Sequence, residues 1–192
     1  MKKSNAKKAH LLYKECFTKS ALKDIYDAKI SSSRTVGKDG THQNAFKANL
    51  DDEINLILKK VEACTYRFTT YKPKLISKGA HKPPRVLSIP TIRDRLTLRV
   101  LNDILAQVFS EARIWRPHVY IKNIREIFEK PCDDMAFARI DIKDFYPSIH
   151  HDILVKKVRS KIRKPQLIHL IQSAISTPTY DVNSNAKGVP QG

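Results

Sequence analysis

Apolar residues recur at helical spacing along most of the chain. This periodicity predicts amphipathic helices over residues 6–28, 44–63, 91–109, 121–128, 147–162 and 165–176. The helix over 91–109 begins with Thr91 and Asp94 in the Thr-x-x-Asp arrangement that is typical of a helix start. We expect a break near Arg116-Pro117, ahead of the helix over 121–128.

Two segments between the helices have strand character. Residues 66–72 are rich in aromatic and β-branched side chains and predict a strand. It continues to residue 78 after Pro73, a residue that suits an edge strand. Residues 79–84 form the turn, and residues 85–89 return as the second strand. A hairpin of this kind places Lys78 and Arg85 within reach of one polyphosphate, although a solvated basic hairpin is the plainer alternative.

A short apolar run from Met135 to Ile142 has the length of a buried strand and carries Asp141 near its end. Burying a lone carboxylate is costly unless a cation satisfies it, and a divalent metal is the simplest such cation. Pro147 then fits the first turn of a helix, where its missing N–H costs nothing. The alternative is an aspartate that merely ends a strand.

The composition is strongly basic. In 192 residues, 36 Lys and Arg oppose 19 Asp and Glu, for a formal net charge of +17. Charge can serve solubility alone, but phosphate is the commonest partner of such a surface, so we expect a nucleic acid as partner. The basic residues concentrate between Lys59 and Arg99. The predicted nucleic-acid-binding side chains in that stretch are those of Lys72, Lys74, Lys82, Arg93, Arg95 and Arg99.

Other classes of protein are disfavoured. No apolar run approaches the roughly 18 to 20 residues that span a bilayer, and the basic start lacks the apolar core of a secretion signal. The three cysteines, Cys16, Cys64 and Cys132, lie far apart and suggest neither a disulfide framework nor a zinc site. A reducing cytoplasm fits this pattern best.

Several small polar clusters also bear on function. The glycines of Gly37-Lys38-Asp39-Gly40 can form a tight turn that presents backbone N–H groups to a phosphate, or simply a surface turn. We interpret Asp51-Asp52-Glu53 as an exposed acidic face and Asp133-Asp134 as a solvated turn. His150 and His151 are adjacent, so on a helix they point in different directions and make a poor metal site.

Three ordered blocks together resemble consecutive motifs of reverse transcriptases, most closely the bacterial type found in group II intron maturases, retrons and related defence enzymes. The loop over residues 36–40 resembles a further block that such enzymes carry before the fingers. The three blocks are Arg85-Val-Leu-Ser-Ile-Pro-Thr-Ile-Arg-Asp-Arg95, Asp141-Ile-Lys-Asp-Phe-Tyr-Pro-Ser-Ile149 and Gly188-Val-Pro-Gln-Gly192.

The resemblance implies an α+β right-hand polymerase fold, with the fingers and the first part of the palm. Residues 1–43 would form an N-terminal helix and loop, residues 44–130 the fingers, and residues 131–192 the partial palm. The implied activity is RNA-directed DNA polymerisation with Mg²⁺ or Mn²⁺, which joins a dNTP to the 3′-hydroxyl of a DNA or RNA primer on an RNA template.

The resemblance also implies roles for individual residues. Asp141 matches the first catalytic aspartate, a ligand of both metal ions, and the Ile142 carbonyl would contact one of them. Tyr146 matches the aromatic gate that excludes a 2′-hydroxyl, with Asp144 and Phe145 beside it in the nucleotide site.

The same comparison covers the triphosphate and the template. Lys78 and Arg85 match the fingers residues that grip the incoming triphosphate. Gln191 matches the residue beside the nucleotide and the template strand.

Two departures accompany the match. Residues 116–120 lack the Gly-Phe-Arg-like segment usual after the long helix. The sequence also stops before a Tyr/Phe-x-Asp-Asp hairpin, and Asp133-Asp134 comes too early to replace it, so we expect these 192 residues alone not to polymerise. The alternatives are a non-catalytic nucleic-acid-binding module and an RNA-copying RNA polymerase, which the bulk of Tyr146 disfavours.

Overall fold

A computed structural model describes residues 2–77, 79–80, 84–112, 117–129, 138, 140–178 and 186–190. The N-terminal helices are α1 (Lys2–Cys16), α2 (Lys19–Ile25), α3 (Gln43–Ala48) and α4 (Leu50–Glu62). After the hairpin of β1 (Lys72–Ile76) and β2 (Arg85–Ile89) come α5 (Ile92–Val108), α6 (Pro117–Phe128), α7 (Phe145–Ser148), α8 (His151–Arg159) and α9 (Pro165–Ile175). A π-helical turn (Tyr26–Ile30) follows α2, and a 3-10 turn (Ser110–Ala112) follows α5.

The periodic segments form helices, but the predicted helices over 6–28, 44–63 and 147–162 are each interrupted, the last between Ser148 and His151. Thr18 ends the continuity of residues 6–28, because its hydroxyl accepts a bond from the Ala21 amide at 3.2 Å and caps α2. Asn49 separates α3 from α4 through its non-helical backbone (φ −111°, ψ 20°), without a side-chain cap. The helix start at Thr91 is confirmed, since its hydroxyl accepts from the Asp94 amide at 3.1 Å.

The hairpin is antiparallel, with Lys72 opposite Ile89 and Ile76 opposite Arg85. Pro73 lies in β1, and the sheet has these two strands only in the described part of the chain, so the predicted edge position holds. The predicted strand over residues 66–71 is wrong. Its amides bond to distant side chains instead of a neighbouring strand, Thr69 to Asp94 at 2.9 Å and Phe68 to Ser173 at 3.4 Å.

The predicted buried strand over residues 135–142 falls largely outside the described residues. Of those that are described, residues 138 and 140–142 form no strand, and Ile140 and Ile142 are 87% and 63% exposed. The prediction is wrong for these positions, because no described strand pairs with them and no described element covers their side chains. Pro147 does lie in the first turn of the short helix α7, as expected.

Helix α5 lies at the centre of the core and contacts α1, α2, α4 and α9. Its fully buried side chains include Leu96, Val100 and Ile104. Burial of one such side chain contributes roughly 1.5 to 3 kcal/mol. The same hydrophobic cluster contains Leu22 and Leu167. The predicted N-terminal segment (1–43), fingers (44–130) and partial palm (131–192) therefore contribute to one core.

By contrast, α6 carries an apolar face that is exposed, with Ile121, Ile124 and Ile127 all at least half accessible to solvent. Among the helices of the described ranges, none combines the length and the apolar character that crossing a bilayer requires.

Candidate nucleotide and nucleic-acid site

The second motif block ends in a single helical turn that exposes two aromatic rings. Asp144 precedes α7 in the left-handed conformation (φ 50°, ψ 41°), which short polar side chains tolerate better than others. The Phe145 and Tyr146 rings meet edge to face with their centroids 5.3 Å apart. They are 49% and 41% exposed, so an aromatic surface faces solvent next to a sharp turn. Such a surface can stack on a planar or sugar-containing ligand.

The third motif block is bound directly to the second. The Val189 amide donates to the Tyr146 carbonyl at 3.1 Å, and the Gly188 amide donates to the Ile149 carbonyl at 2.8 Å. Gly188 has φ 89°, in the left-handed region that favours glycine. Blocks almost forty positions apart in the chain are therefore fixed side by side through their backbones.

His151 strengthens this contact from the start of α8. Its Nε2 donates to the Gly188 carbonyl at 2.5 Å, and its amide donates to the Ala186 carbonyl at 3.0 Å. His150 and Lys187 also form an isolated antiparallel bridge. Sequence reasoning gave His151 no such role, because nothing in the local pattern indicates a partner 37 residues away.

The third block also lies beside the first block. Pro190 lines a cavity of about 420 Å³ together with Pro90 and Arg95, and with Tyr71 from the preceding segment. Residues 188–190 thus stand between the second block and the region where β2 gives way to α5. The motifs that are separate in the sequence are adjacent in the fold.

Asp141 and Ile142 lie in an exposed, irregular segment ahead of the aromatic turn. A carboxylate and a carbonyl are oxygen donors of the kind that Mg²⁺ accepts. Within the described ranges, however, no group of three or more His, Cys, Asp or Glu side chains could hold a metal ion. This donor set does not by itself make a complete metal site.

The predicted triphosphate and template residues are only partly described. Lys78, Lys82 and Gln191 lie outside the described residues. Arg85 is exposed at the start of β2. Lys72 and Lys74 are exposed at alternate positions of β1 and so share one face of the hairpin.

The predicted nucleic-acid-binding arginines of α5 are engaged within the chain. Arg93 binds Glu53 with both Nε and Nη2, the latter at 2.7 Å from Oε1, and this bond raises the pKa of the Arg93 guanidinium. Arg99 bonds through Nε to Asp103 at 3.3 Å. The charge of each guanidinium is directed at a carboxylate of its own fold.

Arg95 is held differently, by neutral acceptors in the glycine-containing loop. It donates to the Ser33 hydroxyl at 2.6 Å and to the Thr35 carbonyl at 3.3 Å. Burial lowers the pKa of the Arg95 guanidinium. These bonds tie the loop before α3 to the first turns of α5.

Gly37 gives the same loop a second attachment. A Cβ added to Gly37 would stand 2.6 Å from the Thr91 Cα, closer than real Cβ atoms come to backbone. Gly40 has φ 72° and open space around it, and its amide points to the Gly37 carbonyl at 3.4 Å. Gly37 is therefore required for packing against the start of α5, whatever else the turn binds.

The acidic residues at the start of α4 divide between two environments. Asp51 and Asp52 are exposed, as predicted, and Asp51 lies 3.6 Å from the Lys19 ammonium. Glu53 differs because it is the partner of Arg93. Sequence reasoning placed all three on a solvated face and missed this long-range ion pair.

No protein-family model matches the chain. Two curated proteins are similar to it. Protein YkfC of Escherichia coli (strain K12) is 23% identical over 174 residues, which cover 83% of this chain and 45% of YkfC. An uncharacterized 91 kDa protein in a cob intron of Schizosaccharomyces pombe is 25% identical over 190 residues, covering 94% of this chain and 23% of that protein. The chain thus spans less than half the length of either relative.

Proposed function

We propose that the chain supplies the fingers and the first part of the palm of an RNA-directed DNA polymerase. The observation that carries the proposal is the position of residues 188–190, which bond to Tyr146 and Ile149 and line a cavity with Pro90 and Arg95. The three sequence blocks that resemble reverse-transcriptase motifs therefore have residues next to one another in the fold, which supports the proposal. The similarity to a protein in a cob intron is compatible with an intron-associated origin.

In this proposal Arg85 binds the triphosphate of the incoming nucleotide. It is an exposed guanidinium at the start of β2, and the arginine fork binds two phosphate oxygens at once. Positive charge at that position stabilises the negative charge that develops on the transferred phosphate. Lys78 would act with it from the other strand of the hairpin.

Tyr146 and Asp141 have complementary roles in the proposal. The exposed Tyr146 ring packs under the sugar and leaves no room for a 2′-hydroxyl. Asp141 would hold Mg²⁺ or Mn²⁺ together with other carboxylates, and the ions would supply the positive charge that phosphoryl transfer to a primer hydroxyl requires. The described residues offer no group of three such side chains, so in this proposal further carboxylates complete the site in the working enzyme.

The test is primer extension by protein expressed from the complete natural reading frame, with an RNA template, a DNA primer, dNTPs and Mg²⁺. We expect extension that Asp141→Asn abolishes. The matched control is Asp152→Asn, a change at an exposed aspartate of α8, which should retain extension. Absence of extension by the unaltered protein, or full activity of Asp141→Asn, would overturn the proposal.

The same assay separates the alternatives. RNA binding without any extension by the unaltered protein would favour a non-catalytic nucleic-acid-binding module, which the charge of +17 alone could support. A preference of the unaltered protein for ribonucleotides would favour an RNA-copying enzyme. For a reverse transcriptase we expect Tyr146→Ala to admit ribonucleotides that the unaltered protein rejects.

A further inference from the structure

Two neighbouring cavities follow α9 on a surface that the motifs do not include. One, of about 450 Å³, lies beside Arg67 and Phe68, and the other, of about 520 Å³, lies beside Arg159 and Arg163. His169 and Gln172 line both cavities, so the two are adjacent along α9. We call this surface the α9 groove. An 11-residue helix is about 16 Å long at 1.5 Å per residue, which gives the approximate extent of the groove.

The groove is positively charged, and its charges are uncommitted. Arg67, Arg159 and Arg163 are exposed, and none of them forms an ion pair within the part of the chain that the structure describes. The described lining of both cavities contains no Asp or Glu. The arginines of α5 are the reverse case, since Arg93 and Arg99 already have carboxylate partners. Among the described residues, the groove arginines are therefore free to bind an anion, whereas Arg93 and Arg99 of α5 are already paired.

The groove also has unused polar capacity. His169 Nδ1 is buried and has no hydrogen-bond partner among the described residues. A buried polar atom without a partner is costly, and a bound ligand or water would satisfy it. The Gln172 amide and the Ser176 hydroxyl line the first cavity and can add neutral hydrogen bonds.

We propose that the α9 groove binds a single strand of nucleic acid through its phosphodiester backbone. Arginine forks are suited to phosphate oxygens, and Arg67 lines one cavity whereas Arg159 and Arg163 line the other. A strand with regularly spaced phosphates can contact the arginines of both cavities. Phe68 is 8% exposed and offers little surface for stacking, so recognition through the backbone should be largely independent of base sequence.

The inference does not depend on polymerase activity. It concerns binding alone, in the absence of nucleotides and metal, and it adds a surface to the predicted basic face of residues 59–99. Of the three arginines only Arg67 lies in that stretch. Arg159 and Arg163 come from the region that the motif resemblance assigns to the palm.

The experiment measures binding of a fluorescently labelled 12-nucleotide single-stranded RNA by anisotropy, at several salt concentrations. The test variant is Arg67→Gln/Arg159→Gln/Arg163→Gln. The control is Arg34→Gln/Lys47→Gln/Arg125→Gln, which removes the same charge from exposed positions that do not line the groove. Thermal unfolding of both variants checks that exposed substitutions leave the fold intact.

We expect the groove variant to bind at least tenfold more weakly than the control variant at about 100 mM salt. In the groove variant the slope of log K against log salt should be smaller in magnitude than in the unaltered protein by about 2. Three phosphate contacts are lost, and each contact on a single strand contributes about 0.7. Equal weakening of the two variants would show a general charge effect and overturn the proposal. Displacement of the RNA by inorganic phosphate at matched ionic strength would show that the groove binds a free anion. It would overturn the proposal that the groove binds a nucleic-acid strand.

Discussion

The Tyr66 hydroxyl donates to Asp94 Oδ1 at 2.8 Å, and both side chains are almost completely buried. The second oxygen of Asp94 accepts from the Thr69 amide at 2.9 Å. The Thr97 hydroxyl lies 3.0 Å from the Tyr66 hydroxyl and completes the network. These bonds attach the irregular segment before β1 to the first turns of α5, at the centre of the core.

Asp94→Ala should lower the free energy of unfolding by about 3 kcal/mol. The substitution removes the acceptor of a buried hydroxyl and of a backbone amide, and hydrogen bonds to a charged group contribute about 1.5 to 3 kcal/mol each. Urea denaturation measures the change. Asp52→Ala, at an exposed position of α4, should change stability by less than about 0.5 kcal/mol. Similar losses for the two variants would contradict the network.

Stability should fall in alkali, in part because of Tyr66. Burial, and then the charge of Asp94, raise the pKa of Tyr66 well above its ordinary value of 10.0. Above that value the unfolded chain releases the proton while the folded chain keeps it, so the contribution is intact below pH 10 and is lost as pH rises.

The measurement is urea unfolding between pH 8 and 11. We expect the loss per pH unit to be smaller in Tyr66→Phe by up to about 1.4 kcal/mol, the value for one proton. Burial also raises the pKa values of Tyr13 and Tyr71, so some alkaline sensitivity should remain in the variant. Identical pH slopes in the two proteins would refute the role of Tyr66.

Gly37→Ala should destabilise the fold by about 2 kcal/mol, because the added methyl group meets backbone atoms of Thr91 and Pro90 that cannot easily move. Gly40→Ala is the informative comparison. It adds its methyl group to open space and should cost about 1 kcal/mol, for the left-handed backbone alone. Chemical denaturation compares the free energy of unfolding of the two variants. A larger loss for Gly40→Ala than for Gly37→Ala would contradict the close packing of Gly37 against Thr91.

Arg93 and Glu53 should be coupled in stability. A double-mutant cycle with Arg93→Gln and Glu53→Gln should give an interaction energy of about 1 kcal/mol, as expected for a two-point ion pair that is only partly exposed. Because its guanidinium is engaged, Arg93→Gln should weaken RNA binding less than Lys74→Gln, which removes an exposed charge from β1. The opposite ranking in an RNA-binding titration would restore Arg93 as a phosphate contact.

The sequence predicted best where local pattern decides the structure. The apolar repeat of α5 and the cap at Thr91 both lie within one helix, and the structure confirms them. The hairpin from β1 to β2 is likewise a local pairing. In these elements the residues that determine the structure are close together in the chain.

Failures came where distant residues decide. Thr69 belongs to a segment with strand composition, but its amide bonds to Asp94, 25 positions away. Counting basic residues likewise could not show that Arg93 is matched by Glu53 across 40 positions. For the candidate site, the motif blocks could be found in the sequence. The bond between His151 and Gly188 could not, because the two residues are 37 positions apart and only the fold brings them together.

The attachment of residues 188–190 to the second motif block uses backbone atoms almost entirely. Any amino acid except proline supplies the amide that Val189 donates to Tyr146. Gly188 is constrained instead by its positive φ. A saturation library across this segment should therefore accept many side chains at position 189 and very few at position 188, so the geometry can persist while the side-chain chemistry diverges.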